Sequence, residues 1–417
     1  MPDQPSAPRV LSRVELIALI AGLMALNALA IDVMLPALPY IGGSLGVANA
    51  NETEFIVSSY MVGFGAAQLA FGPISDRFGR RPPLFVGIAL YVACALLAAF
   101  APSFWALLIL RFVQGLGAAA TRVVAMAVIR DRYSGREMAS VMSLAFMTFM
   151  AVPIIAPGIG QVILLVASWH YIFVFMTLLA GAMGLWAWFR LPETLHAEYR
   201  RELSLGVIVG GFRAVFSNRV AFFYGLCGML FFSAMFGFLV CSQQIFVDLY
   251  GLGPYFPVAF ASVAALMAVS NFVNSRIVKA FGQRRVSHLA TLIYLAAGSA
   301  ILVLALQGPV NFWVYYALLA TLQFVFAWAT SNMNSLSMEP LGNVAGTAAA
   351  VFGFMQTVGG AVIGTLIGQQ FNGTLVPNAA AYVVMGTLVL VCVLIAEKGR
   401  LFGVGVEYQS AEATAVE

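Results

Sequence analysis

Two uninterrupted apolar runs constrain this chain more than any other feature. Residues 84–101 and 379–396 each extend for about 18 residues without a charged side chain, long enough to cross a bilayer as a helix. Over the 417 residues, 62% of side chains are hydrophobic and only 9% are charged, too few charges to cover a soluble surface. At about 20–25 residues per span, the length accommodates about twelve transmembrane helices. The sequence therefore predicts an all-α membrane protein and argues against a soluble enzyme.

Polar stretches divide the chain into apolar segments of similar length. We place the helices near residues 14–40, 54–75, 83–101, 103–130, 137–166, 169–191, 216–248, 254–279, 286–307, 311–338, 343–371 and 378–397. The longest polar interruption, 192–213, follows the sixth helix. The pattern predicts two six-helix bundles, 14–191 and 214–397, joined by a cytoplasmic linker over 192–213 that is partly a surface helix. The tails are residues 1–13 and 398–417.

The basic residues are confined to alternate loops. Of the 21 lysines and arginines, 19 lie in the N-terminal tail, after residue 397, or in the second, fourth, sixth and eighth loops. This positive-inside pattern predicts cytoplasmic termini. It also accounts for the net charge of +4 without nucleic acid binding. A cleaved signal peptide at the first apolar run is disfavoured, because its removal would leave an odd number of spans and reverse the asymmetry.

The cysteines and histidines carry no metal or redox pattern. Cys94, Cys227, Cys241 and Cys392 all fall in apolar segments without CxxC spacing, and the three histidines do not cluster. We expect buried free thiols, no metal site and no cofactor. A membrane-embedded enzyme would need clustered nucleophiles, bases or metal ligands within the spans, and a receptor would need a soluble sensing domain. Neither is visible in the sequence.

A short motif occurs twice at equivalent positions. FGRR at 78–81 follows the second helix, and FGQRR at 281–285 follows the eighth, at an offset of about 203 residues. Lys279 and Ala280 stand where the first copy has Asp76 and Arg77. Since both copies occupy the same topological loop, we interpret them as the trace of a duplication of the two halves.

Several motifs resemble those of one transporter family. Residues 72–81 read GPISDRFGRR and resemble the signature of the major facilitator superfamily. RFVQGLGAA at 111–119 resembles the fourth-helix motif of its proton-driven drug exporters. DVMLPALP at 32–39, Arg130-Asp131 and EPLGNVAGTA at 339–348 resemble the bicyclomycin and chloramphenicol resistance branch, Bcr/CflA. The resemblance covers essentially the whole chain. It implies two pseudo-symmetric six-helix bundles that alternate between inward-open and outward-open states and expel small molecules in exchange for protons. It also implies a location in the bacterial inner (cytoplasmic) membrane.

The fifth helix departs from the family pattern. The family's motif is rich in glycine around a Gly-Pro pair, whereas residues 152–161 read VPIIAPGIGQ. Three glycine positions are replaced, by Val152, Ala156 and Gln161. The direction of transport is therefore less strongly indicated than the fold, and a proton-coupled uptake symporter for a small organic anion is the alternative. Pro153 and Pro157 remove two backbone donors one turn apart, which predicts a helix kink together with Gly160.

Asp32 is the only carboxylate deep within a predicted span. A charged side chain at the membrane centre costs on the order of 3 kcal/mol, so it needs a partner, a proton or a water-filled cavity. Arg111 in the fourth helix lies at the same depth, about 12 Å inside the outer surface at about 1.5 Å per residue. We expect this pair to couple protons, with Arg111 favouring the ionised form of Asp32 and desolvation opposing it. A fixed ion pair that braces the bundle is the alternative.

The cargo is expected to bind in an apolar cavity with few charges. Arg122 follows Arg111 by about three turns and shares its face with Gly115 and Ala118, which could equally be a helix-packing seam. If both arginines line the cavity, they favour neutral, zwitterionic, lipophilic or anionic cargo over cations. The candidate cargo contacts are Tyr60, Gln114, Arg122, Phe231, Phe232, Phe236, Gln243, Gln244, Asn332 and Gln356. With 33 phenylalanines in the chain, each one is more commonly a core or lipid-facing residue.

The 72–81 motif lies too near the cytoplasm to touch a central cargo. Asp76 could instead accept backbone amides at the start of the eleventh helix, near Gly346, and Asp131 could pair with Arg77 or Arg80. Breaking such contacts during the conformational switch would give two discrete conformational states. A merely solvated loop is the alternative. The predicted conformational latch comprises Gly72, Asp76, Arg77, Gly79, Arg80, Arg81 and Asp131.

Together these features predict a secondary active transporter and not an enzyme. The expected activity is drug:proton antiport by alternating access. The expected partners are a small-molecule substrate, protons and the lipid bilayer, without nucleic acid. We expect the protein to act as a monomer.

Overall fold

A computed structural model describes residues 12–133, 135–195, 198 and 205–402. Within these ranges the regular structure is helical. The α-helices are α1 (Arg13–Asp32), α2 (Leu38–Ser44), α3 (Phe55–Phe78), α4 (Arg81–Ala98), α5 (Phe104–Arg132), α6 (Gly135–Val166), α7 (His170–Arg190), α8 (Leu205–Ser217), α9 (Arg219–Gln243), α10 (Phe256–Phe281), α11 (Gln283–Gln307), α12 (Phe312–Met338), α13 (Ala345–Phe354), α14 (Gly360–Gly368) and α15 (Val376–Ala396). Short 3₁₀ segments cover Leu35–Ala37, Ala50–Glu54, Gly253–Tyr255 and Glu339–Val344, and π-helical segments cover Gln244–Leu249 and Met355–Gly359.

The helices have the lengths that a membrane requires. In the described part of the chain, 11 helical segments are long and apolar enough to cross a bilayer. Helix α6 has 32 residues, of which Ala151–Val166 form a shorter apolar segment. The all-α prediction is confirmed for the described residues, and the number of twelve spans stays a prediction. The predicted linker 192–213 includes the start of α8, while its residues 196, 197 and 199–204 lie outside the described ranges.

The loops that carry basic residues gather at one end of each half, which we call the basic end. In the first half, Arg80 between α3 and α4 binds Asp131 at the end of α5, and its backbone N–H donates to Glu193 after α7. In the second half, Arg284 of α11 binds Glu397 after α15. These contacts join loops that are far apart in sequence.

The opposite end, which we call the base-free end, is formed by loops without lysine or arginine, among them 44–54, 249–255 and 369–375. Here the Trp169 indole N–H donates to the Ser44 hydroxyl, at 2.9 Å. Four elements of this end, α2, α3, α9 and α14, pack against the 3₁₀ segment Ala50–Glu54. This segment therefore lies between the two halves.

The halves contact each other along an antiparallel seam in which α3 lies against α13, α14 and the π-helical segment between them. Its polar contacts, taken inward from the base-free end, are Asn51–Gln369, Ser58–Thr365 and Gln68–Thr357. At the inner end of the seam, near the middle of α3, a Cβ on Gly353 would lie 3.0 Å from Oε1 of Gln68. The two halves are therefore in direct contact from the base-free end to the middle of α3.

The seam ends before the basic end. Gly72 lies two turns beyond Gly65 on the same face of α3, and Gly346 lies two turns before Gly353 on α13. A Cβ on Gly65 would lie 3.0 Å from the side chain of Thr357, whereas a Cβ on Gly72 or on Gly346 would meet nothing within 4 Å. The halves thus close on each other at the base-free end and separate towards the basic end.

Helix α5 crosses its neighbours at glycines. A Cβ on Gly115 would collide with the Tyr60 carbonyl of α3, and one on Gly117 would lie 2.5 Å from the Gly87 carbonyl of α4. Because side chains at these positions would force the backbones apart, the glycines belong to a helix-packing seam. Of the two interpretations left open for Gly115 by the sequence, the structure favours packing.

Proline interrupts the first span but not the fifth. Helix α1 ends at Asp32, and the chain continues through the 3₁₀ segment that contains Pro36 before α2 begins. Pro153 and Pro157 both lie inside α6, which continues through them, and the kink expected there stays a prediction.

Gly160 has a packing role that the sequence did not predict. A Cβ on Gly160 would collide with the Val33 carbonyl and would lie 3.0 Å from the Pro36 ring. Gly160 therefore brings α6 directly against the break in the first span, next to Asp32. Since α6 also packs against α10 of the second half, this contact connects the break with the interface between the halves.

Candidate functional site

Asp32 ends α1 at the point where the first span stops being α-helical. Its exposed fraction is 4%. The contacts of the described residues include no hydrogen bond and no ion pair to its carboxyl group. A carboxyl group held in this way can bind and release a proton without first breaking an ion pair.

Arg111 is completely buried and does not pair with Asp32. Its Nε donates to the Ile56 carbonyl at 3.1 Å, Nη1 to Oε1 of Gln114 at 2.9 Å, and Nη2 to the Ala30 carbonyl at 2.8 Å. The equal depth expected for the two side chains does not produce an ion pair in this conformation, because the three guanidinium nitrogens are already directed to other oxygens. Arg111 instead ties α5 to the backbones of α1 and α3.

A buried polar network surrounds Arg111. Its guanidinium carbon lies 4.5 Å from the centroid of the Tyr60 ring, and the Tyr60 hydroxyl donates to Oδ1 of Asn27 at 3.3 Å. The Asn27 amide donates in turn to the Thr121 hydroxyl at 3.0 Å. Tyr60 and Gln114, both predicted to contact cargo, are therefore enclosed within the first half and engaged with its other polar groups.

Arg122, the other cation within α5, is half-buried and is differently placed. Its guanidinium carbon lies 5.9 Å from the centroid of the Phe64 ring. Within the described ranges, no hydrogen bond or acidic partner is found for its side chain. Its role as a cargo contact stays a prediction.

The aromatic candidates of the second half serve packing in this conformation. Phe231 is fully buried, edge-to-face with Tyr294 at 4.9 Å between ring centroids. Phe232 lies against Gly360, where a Cβ would collide with its ring, and a Cβ on Gly364 would lie 2.9 Å from Phe236. These two phenylalanines of α9 therefore pack against the glycine face of α14.

The amide candidates of the second half fall into three groups. The Asn332 amide donates to Oδ1 of Asn274 at 2.8 Å, which joins α12 to α10. Gln244 reaches across the seam to Asn51, and its Oε1 atom is buried without a partner among the described residues. For Gln243, which is buried, and Gln356, which is half-buried, the described contacts contain no side-chain hydrogen bond.

At the basic end, Arg80 is the centre of a charge cluster within the first half. Its Nε lies 2.7 Å from Oδ2 of Asp131 and its Nη2 3.0 Å from Oδ1, and its Nη1 lies 2.5 Å from Oδ1 of Asp76. Burial lowers the pKa of the Arg80 guanidinium, but the hydrogen bonds and charges of the two carboxylates outweigh this effect, and the pKa is raised above its usual value. Of the two partners predicted for Asp131, the structure selects Arg80.

The backbone around Gly79 is bound by a residue that the sequence did not single out. Glu193 accepts hydrogen bonds from the backbone N–H groups of Arg80, at 2.8 Å, and Arg81, at 3.1 Å. Gly79 has a φ of 92°, and a Cβ there would lie 2.6 Å from Oε2 of Glu193. A glycine is therefore required for both the backbone conformation and the close approach.

The predicted contact between Asp76 and the eleventh helix is not formed. Asp76 binds Arg80, and no described hydrogen bond connects it with the backbone near Gly346. Arg77 is exposed and lies over the ring of Phe78 at 5.7 Å. The physical reason is the separation of the halves at the basic end, which leaves both Gly72 and Gly346 facing open space.

The second half holds a corresponding cluster. Arg284 lies 2.9 Å from Oε1 of Glu397 and 3.4 Å from Oε2 of Glu339. The Tyr224 hydroxyl donates to the same Glu397 oxygen at 2.8 Å and lies 3.0 Å from Nε2 of His288. These partners were missed at the level of sequence, although the repeated FGQRR motif indicated their location.

Glu54 is a further carboxylate that sequence reasoning missed, and it lies at the base-free end. It appeared to lie in a loop, yet its exposed fraction is 1%, lower than that of Asp32. Its position directly before the apolar run of α3 was the available signal. The four cysteines are all buried and free, as predicted.

Comparison with known proteins identifies the class. The model of the Major Facilitator Superfamily matches residues 20–365, and the chain belongs to this superfamily. The chain is similar to a bicyclomycin resistance protein homolog of Haemophilus influenzae, with 28% identity covering 87% of this chain and 90% of the relative. It is also similar to a chloramphenicol resistance protein of Pseudomonas aeruginosa, with 29% identity covering 89% and 86%. The crystal structure of a D-xylose-proton symporter has the same fold, with a TM-score of 0.69 at 17% identity over 93% of this chain and 99% of that one. The protein is thus a transporter, and not an enzyme, as predicted.

Proposed function

We propose that this transporter is a proton-coupled exporter of small neutral, zwitterionic or lipophilic molecules. It crosses the bacterial inner membrane twelve times, as a monomer, with both termini in the cytoplasm. The antibiotic resistance named for two relatives supports the direction of transport and the class of cargo.

Asp32 carries this proposal. It is buried at the break in the first span, and no cation among the described residues neutralises it. Helix α6 contacts this break through Gly160 and also contacts α10 of the other half. A movement between the halves would therefore change the surroundings of Asp32, which is what coupling between proton binding and conformation requires.

The seam supports alternating access. The halves are in contact at the base-free end and separate towards the basic end. If the basic end is cytoplasmic, as the distribution of lysine and arginine favours, this conformation faces inward. Closure at the basic end with opening of the seam would give the outward-facing state.

The test is uphill transport in proteoliposomes that carry an imposed proton gradient, with chloramphenicol as the probe. One proton moving through about 100 mV supplies about 2.3 kcal/mol, which sustains a gradient of about forty-fold. We expect the parent to build such a gradient opposite to the proton flow and Asp32→Asn to lose it. Asp248→Asn, which changes an exposed carboxylate of the base-free end, should transport like the parent. Equal uphill transport by Asp32→Asn would exclude this role of Asp32.

The same vesicles separate export from uptake. A symporter for an organic anion would accumulate its cargo in the direction of the proton flow, and an exporter would not. Arg111, which is buried, and Arg122, which is half-buried, have no acidic partner among the described residues, and this keeps an anionic cargo in the comparison. A set of organic anions should therefore be assayed beside chloramphenicol.

A further inference from the structure

We propose that Glu54 is a proton-binding site of the base-free end, occupied when the two halves close on it and emptied when they separate. The site is distinct from Asp32. It rests on the proposed function only in that the halves move relative to each other, and it requires neither a particular cargo nor proton-driven transport.

The enclosure of Glu54 is built by the other half of the protein. Glu54 precedes α3 of the first half, while the neighbours of its carboxyl group lie in the second half, on α9, at the end of α14 and directly after it. The Cys241 thiol donates to Oε1 at 3.5 Å, and the Gln369 amide donates to Oε2 at 3.4 Å. Gly368 lies so close that a Cβ there would collide with Oε2. Separation of the halves would remove all three neighbours at once and admit water to the carboxyl group.

No positive charge compensates Glu54 in the closed arrangement. The elements packed against the segment Ala50–Glu54 are α2, α3, α9 and α14. The titratable or charged groups that they and the adjoining π-helical segment present at this end are Tyr40, Glu52, Cys241 and Asp248. All are neutral or acidic. The guanidinium of Arg111, which reaches the Ile56 carbonyl nearby, directs its donors to Ile56, Gln114 and Ala30.

Ionisation of Glu54 therefore disfavours closure of the two halves at the base-free end. Two long hydrogen bonds from neutral donors are weak compensation for a buried negative charge, whereas a protonated carboxyl group is accommodated without this cost. In the separated form, water solvates the carboxylate. By linkage, acid at the base-free end favours the closed form, and the closed-to-open ratio changes by up to about tenfold per pH unit for one proton.

The position of Glu54 also determines where its proton goes. The carboxyl group lies at the base-free end and is exposed by opening that same end, so the proton is taken from and returned to one side of the membrane. Glu54 would then set the pH at which this end opens, without adding a proton to each transport cycle. Asp32, at the break in the first span, is not restricted in this way to proton exchange with one side of the membrane.

Asn51 provides a matched comparison in the same seam. Its Nδ2 donates to the carbonyls of Gln369, at 3.2 Å, and Phe371, at 2.8 Å, and its Oδ1 accepts from Gln244 at 2.8 Å. These contacts hold the same two halves together but contain no titratable group. Removing them should weaken closure equally at every pH.

The experiment measures the width of the base-free end by double electron–electron resonance in lipid nanodiscs. Nitroxide labels are attached after Ala48→Cys and Gln370→Cys, two exposed positions on opposite sides of the seam, and the native cysteines are buried. The closed-to-open ratio is recorded without cargo or gradient between about pH 5 and about pH 8, a range above the ordinary titration of an exposed carboxyl group. The labelled parent is compared with Glu54→Gln, Glu52→Gln and Asn51→Ala.

We expect the closed-to-open ratio of the parent to fall by about tenfold or more between these pH values. Glu54→Gln, which is permanently neutral, should stay closed throughout, whereas Glu52→Gln should follow the parent. Asn51→Ala should be more open than the parent at each pH and keep its pH dependence. A parent ratio that does not change with pH would overturn the proposal, as would an unchanged pH dependence in Glu54→Gln. Either result would leave the role proposed for Asp32 intact, since that role is measured by uphill transport.

Discussion

The guanidinium of Arg80 and the carboxylate of Asp131 are joined by two parallel hydrogen bonds, of 2.7 and 3.0 Å. This pair connects the loop between α3 and α4 with the end of α5. Both residues belong to the first half, so the contact can persist while the halves move. The exposed fractions of the two side chains are 6% and 15%, so the pair is largely shielded from water. Its two-hydrogen-bond geometry therefore contributes to its strength in addition to the opposite charges.

A double-mutant cycle tests the Arg80–Asp131 pair. Arg80→Gln and Asp131→Asn should each lower the thermal unfolding temperature in detergent, and the double variant should lose less than the sum. We expect a coupling free energy of about 1–3 kcal/mol. Arg77→Gln in the same loop changes an exposed arginine and should have little effect. Additive losses from the two single variants would show that the hydrogen bonds contribute nothing beyond each side chain alone.

Substitution of Arg111 by lysine should damage the protein although the charge is retained. A single ammonium group cannot reproduce three bonds to Ile56, Gln114 and Ala30, and each oxygen left without a donor costs about 1–3 kcal/mol. We expect a lower unfolding temperature and strongly reduced transport, measured in detergent and in proteoliposomes. Arg213→Lys, on helix α8, serves as the control. Parent-like stability of Arg111→Lys would contradict the positioning role given to the guanidinium.

The glycines of α5 give a steric prediction. Gly115→Ala places a methyl group against the Tyr60 carbonyl and should destabilise the fold by about 1–3 kcal/mol, the usual cost of overpacking. Gly181→Ala on α7 has nothing within 4 Å of the new methyl group and should be neutral or slightly stabilising. The ratio of folded to aggregated protein after heating distinguishes the two. If both alanine variants behave alike, the close crossing of α3 and α5 does not limit the stability of the fold.

A bulky residue at Gly72 should trap the present conformation. Gly72 faces open space here, and closure of the basic end would bring this face of α3 towards the face of α13 that carries Gly346. Gly72→Leu should therefore fold with parent-like stability but lose transport, while Gly181→Leu should retain it. Spin labels after Arg130→Cys and Lys279→Cys should report a permanently wide basic end in Gly72→Leu. Normal closing in that variant would show that α3 and α13 do not meet there.

The sequence was sufficient for the all-helical fold class and the family but not for the partners of its buried charges. Long apolar runs predicted membrane helices, and the 72–81 motif predicted the family, because both depend on local patterns. Asp32 and Arg111 were placed at equal depth by counting residues, yet depth does not determine which way a side chain points. The oxygens that bind Arg111 are mostly backbone carbonyls, which every residue carries and which leave no signal in the sequence.

Glu54 shows a different limit of the sequence. Its burial is produced by Gly368, Gln369 and Cys241, which follow it by roughly 190 to 315 residues and belong to the other half. Hydropathy along the chain cannot reveal such a contact. The repeated FGRR motif is more informative than hydropathy, because its second copy at 281–285 contains Arg284, the centre of the charge cluster in the second half.

The two charge clusters of the basic end have a consequence for how the protein is assembled. The Arg80 cluster includes Glu193, just before the connection between the halves, and the Arg284 cluster begins only after α8. Neither cluster joins one half to the other, so each half carries its own internal brace. A polypeptide cut between Leu195 and Leu205 should therefore yield two fragments that fold separately in the membrane and recombine into an active transporter.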